Sequence, residues 1–228
     1  MSTDPDRRPA RDLAQEFNTR GDPTGWFEAL YGSARGDASV IPWADLAPNP
    51  NLVDWLDRKP GPRSGRALVV GCGLGDDAEH LAARGYTVTA FDIAPSAIDW
   101  CRRRFPHSSV TYTVADLLDP PAALHDGFDF AFEAYTLQAL PLTLRPKAVA
   151  GLAKCVARNG ELLLVCRARS DDDPPGQMPW PLSRKELEEL TRPVGLTPRS
   201  FEDYMDADQP PVRRFRCQYA HIAASERS

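Results

Sequence analysis

The stretch Arg66-Ala67-Leu68-Val69-Val70-Gly71-Cys72-Gly73-Leu74-Gly75-Asp76-Asp77 constrains this chain more than any other. A short apolar run of strand type breaks on three alternating glycines. A helical pattern, with Ala78, Leu81 and Ala82 on one face, follows at once. Strand, glycine turn and helix start in that order form a corner suited to a nucleotide-like ligand at the carboxyl edge of a parallel sheet. Glycines there let the backbone turn tightly and approach the ligand where a Cβ would collide. The next apolar run, Tyr86 to Phe91, ends on Asp92, about 20 residues past the first glycine, where a carboxylate can take the two hydroxyls of a ribose.

A nicotinamide dinucleotide is the first alternative for such a corner. Its fingerprint wants a glycine where this chain has Asp76, and it sets a pyrophosphate on the helix start. Asp76 and Asp77 occupy that first turn and complement the positive end of the helix dipole. Two carboxylates suit a nucleoside that lacks phosphate and carries a cationic end, which describes S-adenosylmethionine.

The rest of the chain fits an α/β domain. Beyond the corner, strands are expected at 66–70, 86–91, 110–114, 128–133 and 161–166, with helices near 75–84, 95–105 and 144–158. This alternation marks a parallel sheet covered on both faces. Pro95 opens the second of these helices, and Asn159-Gly160 is expected to stop the third. Ser183 and Glu186 form a capping-box pattern for a helix through Leu190. Two closing runs, 196–203 and 213–222, predict an antiparallel hairpin. Upstream, residues 1–11 are polar and expected to lack order. Residues 13–31 read as two helical pieces split at Gly21-Asp22-Pro23, and 49–57 as another helix. The overall expectation is a Rossmann-like, doubly wound, mostly parallel sheet with a C-terminal antiparallel hairpin. Residues 1–64 form an N-terminal helical cap and linker, and 65–228 the ligand-binding core.

Composition narrows the function. At 42% apolar and 26% charged residues the chain reads as soluble and globular, and the Leu162–Cys166 run is far too short to span a bilayer. A net charge of −5 without a basic block gives nucleic-acid binding no electrostatic support. Five cysteines without a CxxC pair and four scattered histidines offer no metal spacing. The N-terminus shows no apolar signal core. These features together predict a cytoplasmic protein without metal, as a monomer or homodimer.

Further motifs follow the corner: Ala115-Asp116-Leu117, then Phe128-Asp129-Phe130-Ala131-Phe132-Glu133-Ala134-Tyr135. In this order the set resembles a class I S-adenosylmethionine-dependent methyltransferase. Pro42-Trp43, Leu140-Pro141 followed by Arg145, Pro174-Pro175-Gly176 and Ser183-Arg184-Lys185-Glu186-Leu187 resemble the thiopurine and thiol S-methyltransferase branch. The chain departs from that branch at Glu133-Ala134, where an Asp-Arg pair is common, and at Pro-Pro-Gly in place of Gly-Pro-Pro.

The resemblance implies a site. Gly71, Cys72, Gly73 and Gly75 pass under the methionine part of the cofactor, Asp92 holds the ribose and Ile93 flanks the adenine. Asp116 takes the adenine amino group with Leu117 as apolar flank, and Trp43 covers the sulfonium, where cation–π attraction gives it a reason. Glu133 borders both cofactor and acceptor; Tyr135 and Arg145 face the acceptor, and Met178 and Trp180 on the proline-rich loop are candidate lid residues. Cys72 reads as a packing residue. The implied activity is methyl transfer from S-adenosylmethionine, leaving S-adenosylhomocysteine, to a small-molecule thiol or disulfide. A thiol needs little base catalysis, and no histidine lies in the expected site strands. O- or N-methylation of a small aromatic, a nicotinamide oxidoreductase and a non-catalytic adenosine-binding module are the alternatives.

Overall fold

The computed structural model describes residues 7–58 and 64–222. They fall into two compact units, residues 5–116 and 117–228.

The first unit starts with helices α1 (Arg8–Thr19), α2 (Gly25–Ala34) and α3 (Pro50–Asp57). It continues through β1 (Arg66–Val70), α4 (Asp76–Ala83), β2 (Thr87–Asp92), α5 (Pro95–Arg104) and β3 (Thr111–Val114). The strands lie in the order β3-β2-β1 and pair in parallel, Val70 beside Phe91 and Asp92 beside Val114. Ala67, Leu68, Val69 and Val70 are all buried, as a strand covered on both faces requires. α1 begins at Arg8, five residues earlier than the polarity of residues 1–11 suggests. Pro9 sits in its first turn, where a missing N–H costs nothing, and Ala10 and Ala14 are buried on one face. Residues 1–6 and the linker residues 59–63 lie outside the described part.

The second unit holds β4 (Phe128–Ala134), α6 (Arg145–Cys155), β5 (Val156–Arg167), α7 (Arg184–Thr191), β6 (Leu196–Met205) and β7 (Arg213–His221). The strand order is β4-β5-β7-β6. β4 and β5 are parallel, while β7 pairs antiparallel with both β5 and β6. The fold is therefore the expected Rossmann-like α/β pattern, mostly parallel and ending in an antiparallel hairpin.

Two local expectations fail here for clear reasons. α6 ends at Cys155 rather than 158, because Val156 is already extended and starts β5. Asn159 (φ 62°) and Gly160 therefore do not stop a helix. They belong to an irregular stretch where the β4–β5 register jumps from Phe128↔Val156 to Phe130↔Glu161. A Cβ at Gly160 would stand 2.8 Å from the Phe128 carbonyl oxygen. The capping box is only half made: Ser183 accepts from the Glu186 N–H, but the Glu186 carboxylate is used elsewhere. Among the described residues no helix is long and apolar enough to cross a membrane.

Candidate functional site

In the first unit the glycine turn is made from backbone. Gly71, Gly73 and Gly75 have φ of 60°, 53° and 92°, which side chains other than glycine rarely adopt. Two of the three are also crowded by neighbouring side chains. A Cβ on Gly73 would lie 3.1 Å from the Tyr31 hydroxyl, and one on Gly75 only 2.6 Å from the Tyr112 hydroxyl. The turn is pinned from below by the Cys101 thiol, which donates to the Gly73 carbonyl at 3.2 Å. Cys72 is buried, and its thiol is pushed well up by the neighbouring Cys101 thiol and by burial, so it is a packing residue and not a nucleophile.

Asp92 closes the same turn from β2. Its two carboxyl oxygens accept from the N–H groups of Gly73 and Ala94, each at 3.0 Å. Burial pushes its pKa up to about 6 against the lowering effect of those N–H groups. A carboxylate offers about four lone-pair positions, so the Gly73 and Ala94 N–H groups do not exhaust its capacity to accept. Ile93 follows, half-buried, and Asp116 lies half-buried beyond β3.

Asp76 and Asp77 occupy the first turn of α4, as expected, but neither is a free charge. The Arg104 guanidinium grips both oxygens of Asp76, at 2.7 and 2.8 Å. Asp77 accepts from the Asn49 N–H at 2.6 Å, and burial raises its pKa to about 7. Charge repulsion at this helix start is thus weaker than the sequence implies.

Above the turn sits an aromatic group. Trp43 donates its indole N–H to the Tyr31 hydroxyl at 2.7 Å and packs edge-on against Trp26, Phe27 and Tyr31. The sequence marks Trp43 as a site residue but not Tyr31, which reads as one more apolar position on the buried face of α2. Only the approach of its hydroxyl to Gly73 marks it.

In the second unit, Glu133 stands fully buried on β4. One carboxyl oxygen accepts from the N–H groups of Thr136 (2.7 Å) and Leu137 (3.1 Å); the other has no hydrogen-bond partner. Burial raises its pKa to about 7, offset in part by those N–H groups and by Arg145. Tyr135, just past β4, adopts φ 69°, a costly conformation for an aromatic residue. The Arg214 guanidinium lies 4.8 Å from its ring centre, held in turn by Asp206 at 2.6 Å and Asp208 at 2.9 Å.

Arg145 departs from its expected place facing the acceptor. It is completely enclosed, donating to the Leu137 carbonyl (3.1 Å), the Trp180 carbonyl (2.9 Å) and the Glu186 carboxylate. Glu186 also receives Arg169, which explains why its carboxylate does not complete the capping box. Arg145 thereby ties the segment after β4 to the proline-rich loop. Trp180 is fixed there through its backbone, donating its N–H to Gln138, while Met178 is buried. Leu117 is buried too, its carbonyl lying 1.9 Å from where a Cβ would stand on Gly151 of α6.

The glycine turn, Asp92, Tyr31 and Trp43 therefore form one connected group, and Glu133, Arg145 and Leu137 a second. Comparisons with known proteins fit this arrangement. Residues 67–160 match the family model described as a methyltransferase domain. The chain is 27% identical over 173 residues to the 2-heptyl-1-hydroxyquinolin-4(1H)-one methyltransferase of Mycobacteroides abscessus, covering 72% of this chain and 73% of the relative. It is 25% identical over 198 residues to the Arabidopsis thaliana protein named "Probable thiol methyltransferase 2", covering 85% and 83%. A solved structure described as converting a disulfide bond into a thioacetal group during echinomycin biosynthesis superposes with a TM-score of 0.70. It shares 18% identity and covers 89% of this chain and 93% of its own.

Proposed function

We propose that this chain, a class I S-adenosylmethionine-dependent methyltransferase, delivers the methyl group to sulfur in a small molecule. Bound S-adenosylmethionine supplies a methyl already activated on a sulfonium, so the protein has to align a nucleophile and keep water out. Gly71, Gly73 and Gly75 hold the amino-acid end through a backbone that carries no Cβ at those three positions. Asp92 takes the ribose with its remaining lone pairs, and Trp43 faces the sulfonium charge.

The observation that carries the sulfur reading is the free carboxyl oxygen of Glu133. A base with a pKa near 7 is well matched to a thiol of pKa about 8.5, and poorly matched to an alcohol. Glu133 accepts the thiol proton at that oxygen, with its other oxygen locked on Thr136 and Leu137. Arg145 positions the segment that carries those two N–H groups. The relative named as a thiol methyltransferase supports the same reading. The relative that acts on a hydroxyquinolone favours the second reading, methylation at oxygen or nitrogen of a small heteroaromatic.

Labelled S-adenosylmethionine offered with matched panels of thiols, disulfides, phenols and amines separates the two. Label on sulfur alone is the expected result, and label on oxygen or nitrogen alone overturns it. Glu133→Gln is expected to slow turnover of thiols by about 10-fold, since a thiol is partly ionised without help, while leaving cofactor affinity within a factor of two or so.

A further inference from the structure

Residues 41–49 carry Trp43 from the end of α2's neighbourhood to the start of α3, and two of this loop's attachments bear on where Trp43 stands. At one end, Trp43 bonds Tyr31 and packs against α2. At the other end stands the sequence Pro48-Asn49-Pro50. Prolines donate no backbone hydrogen bond, so the Asn49 N–H is the one backbone donor of this tripeptide. It goes to the carboxylate of Asp77, at 2.6 Å, in the first turn of the helix that the glycine turn opens. The Asn49 side chain meanwhile caps α3 by accepting from the Asn51 N–H. The Asp77 side chain therefore fastens the end of the loop that carries Trp43 to the helix that the glycine turn opens.

We infer that Asp77 is a positioning residue for cofactor binding: it latches the 41–49 loop to α4, and so sets where Trp43 stands over the glycine turn. The inference rests on the reading of Trp43 as the residue facing the sulfonium. It assigns Asp77 a role distinct from complementing the helix dipole, which an acid anywhere in that turn can do. Asp76, the adjacent acid, is committed to Arg104, and Asp45 is the other acid whose charge bears on Asp77.

The test compares affinities for cationic S-adenosylmethionine and neutral S-adenosylhomocysteine by calorimetry. A correctly placed Trp43 favours the cation, so Trp43→Ala is expected to weaken S-adenosylmethionine about fivefold more than S-adenosylhomocysteine. Asp77→Ala should reproduce that selective loss and add nothing in the Trp43→Ala background. Asp77→Asn keeps an oxygen that accepts the same N–H and should restore the selectivity. Asn49→Pro removes the donor instead of the acceptor at a residue whose φ of −57° proline accepts. It also deletes the Asn49 cap on α3, so Asn49→Ala, which loses the cap and keeps the N–H, is its control, and only the proline variant should show the selective loss. Equal weakening of both ligands by Asp77→Ala, or additivity with Trp43→Ala, overturns the latch and leaves Trp43's role standing. No selective loss from Trp43→Ala overturns the role of Trp43, and the latch with it.

Discussion

The two halves of this molecule build polar sites in opposite ways. In residues 5–116 the working surface is main chain: three glycines at positive φ, and a carboxylate, Asp92, satisfied by backbone N–H groups. In residues 117–228 the polar structure is made of long charged side chains largely withdrawn from water, Arg145 with Glu186 and Arg214 with Asp206. A backbone-built site is specified by a local rule, that only glycine fits. A site of buried ion pairs is specified by partners far apart in sequence: Arg145 and Glu186 stand 41 residues apart. The first kind fails locally when altered, whereas the second strands a charge.

The largest expected effect follows from that contrast. Arg145→Met leaves Glu186 and two backbone carbonyls short of a buried donor, and should cost about 3–5 kcal/mol of stability, read as a lower urea midpoint. The double change Arg145→Met with Glu186→Leu should recover only part of that loss, because it removes the unpaired Glu186 charge but leaves Arg169 without that partner and the Leu137 and Trp180 carbonyls without their donor. If the single change costs under about 1 kcal/mol, the second half is not held by its buried pairs.

Gly75→Ala comes next. It forces a side chain to φ 92° and 2.6 Å from the Tyr112 hydroxyl, with an expected cost of about 1–3 kcal/mol and weakened cofactor binding. Pairing it with Tyr112→Phe removes the oxygen but not the backbone strain, and so separates the two causes.

A pH series sharpens the comparison further, because each half holds buried acids with raised pKa values: Asp77 and Asp92 in the first, at about 7 and 6, and Glu133 in the second, at about 7. The folded state binds their protons more tightly than the unfolded chain, where such groups titrate near 4. Their stabilisation is present below about pH 4 and is lost as pH rises through 6 to 7. Between pH 4 and 7 these groups make stability fall as pH rises. Glu133→Gln should flatten that slope by on the order of 1–3 kcal/mol across the window, measured as urea midpoints at each pH. An unchanged slope would mean that Glu133 titrates as an ordinary surface acid.

The smallest effect belongs to the exposed rim. Arg213 and Asp203 pair across β6 and β7 with more than a third of each side chain in water. Asp203→Asn should cost about 0.2–1 kcal/mol and less at high salt.

The same contrast explains what could be read from the sequence. The glycine corner, the strands that follow it and the closing hairpin were legible because apolar runs and turn residues carry their rules with them. The position of Asp92 against the glycine turn was legible from its spacing, whereas its two N–H partners were not. Arg145 was not: its helix start shows a cation in a first turn, and nothing local says that Glu186 and Trp180 will enclose it. Asn159-Gly160 looks like a helix stop because the same residues serve in irregular strand pairing. Tyr31 was hidden by belonging to an apolar helical face while its hydroxyl does polar work. Asp76 and Asp77 are legible as acids in a first helix turn, but their partners Arg104 and Asn49, 28 residues away on either side, are not.

All five cysteines are buried and none is bonded to another. The molecule therefore carries its own clocks for structural opening. A thiol reagent added to the folded protein reacts only as fast as the surrounding structure opens. Cys72 and Cys101 sit at the glycine turn, whereas Cys155, Cys166 and Cys217 lie in and beside β5 and β7. Peptide-resolved labelling thus times the opening of each half separately, without a single substitution, and cofactor binding should slow the first pair in proportion to its stabilisation of that turn.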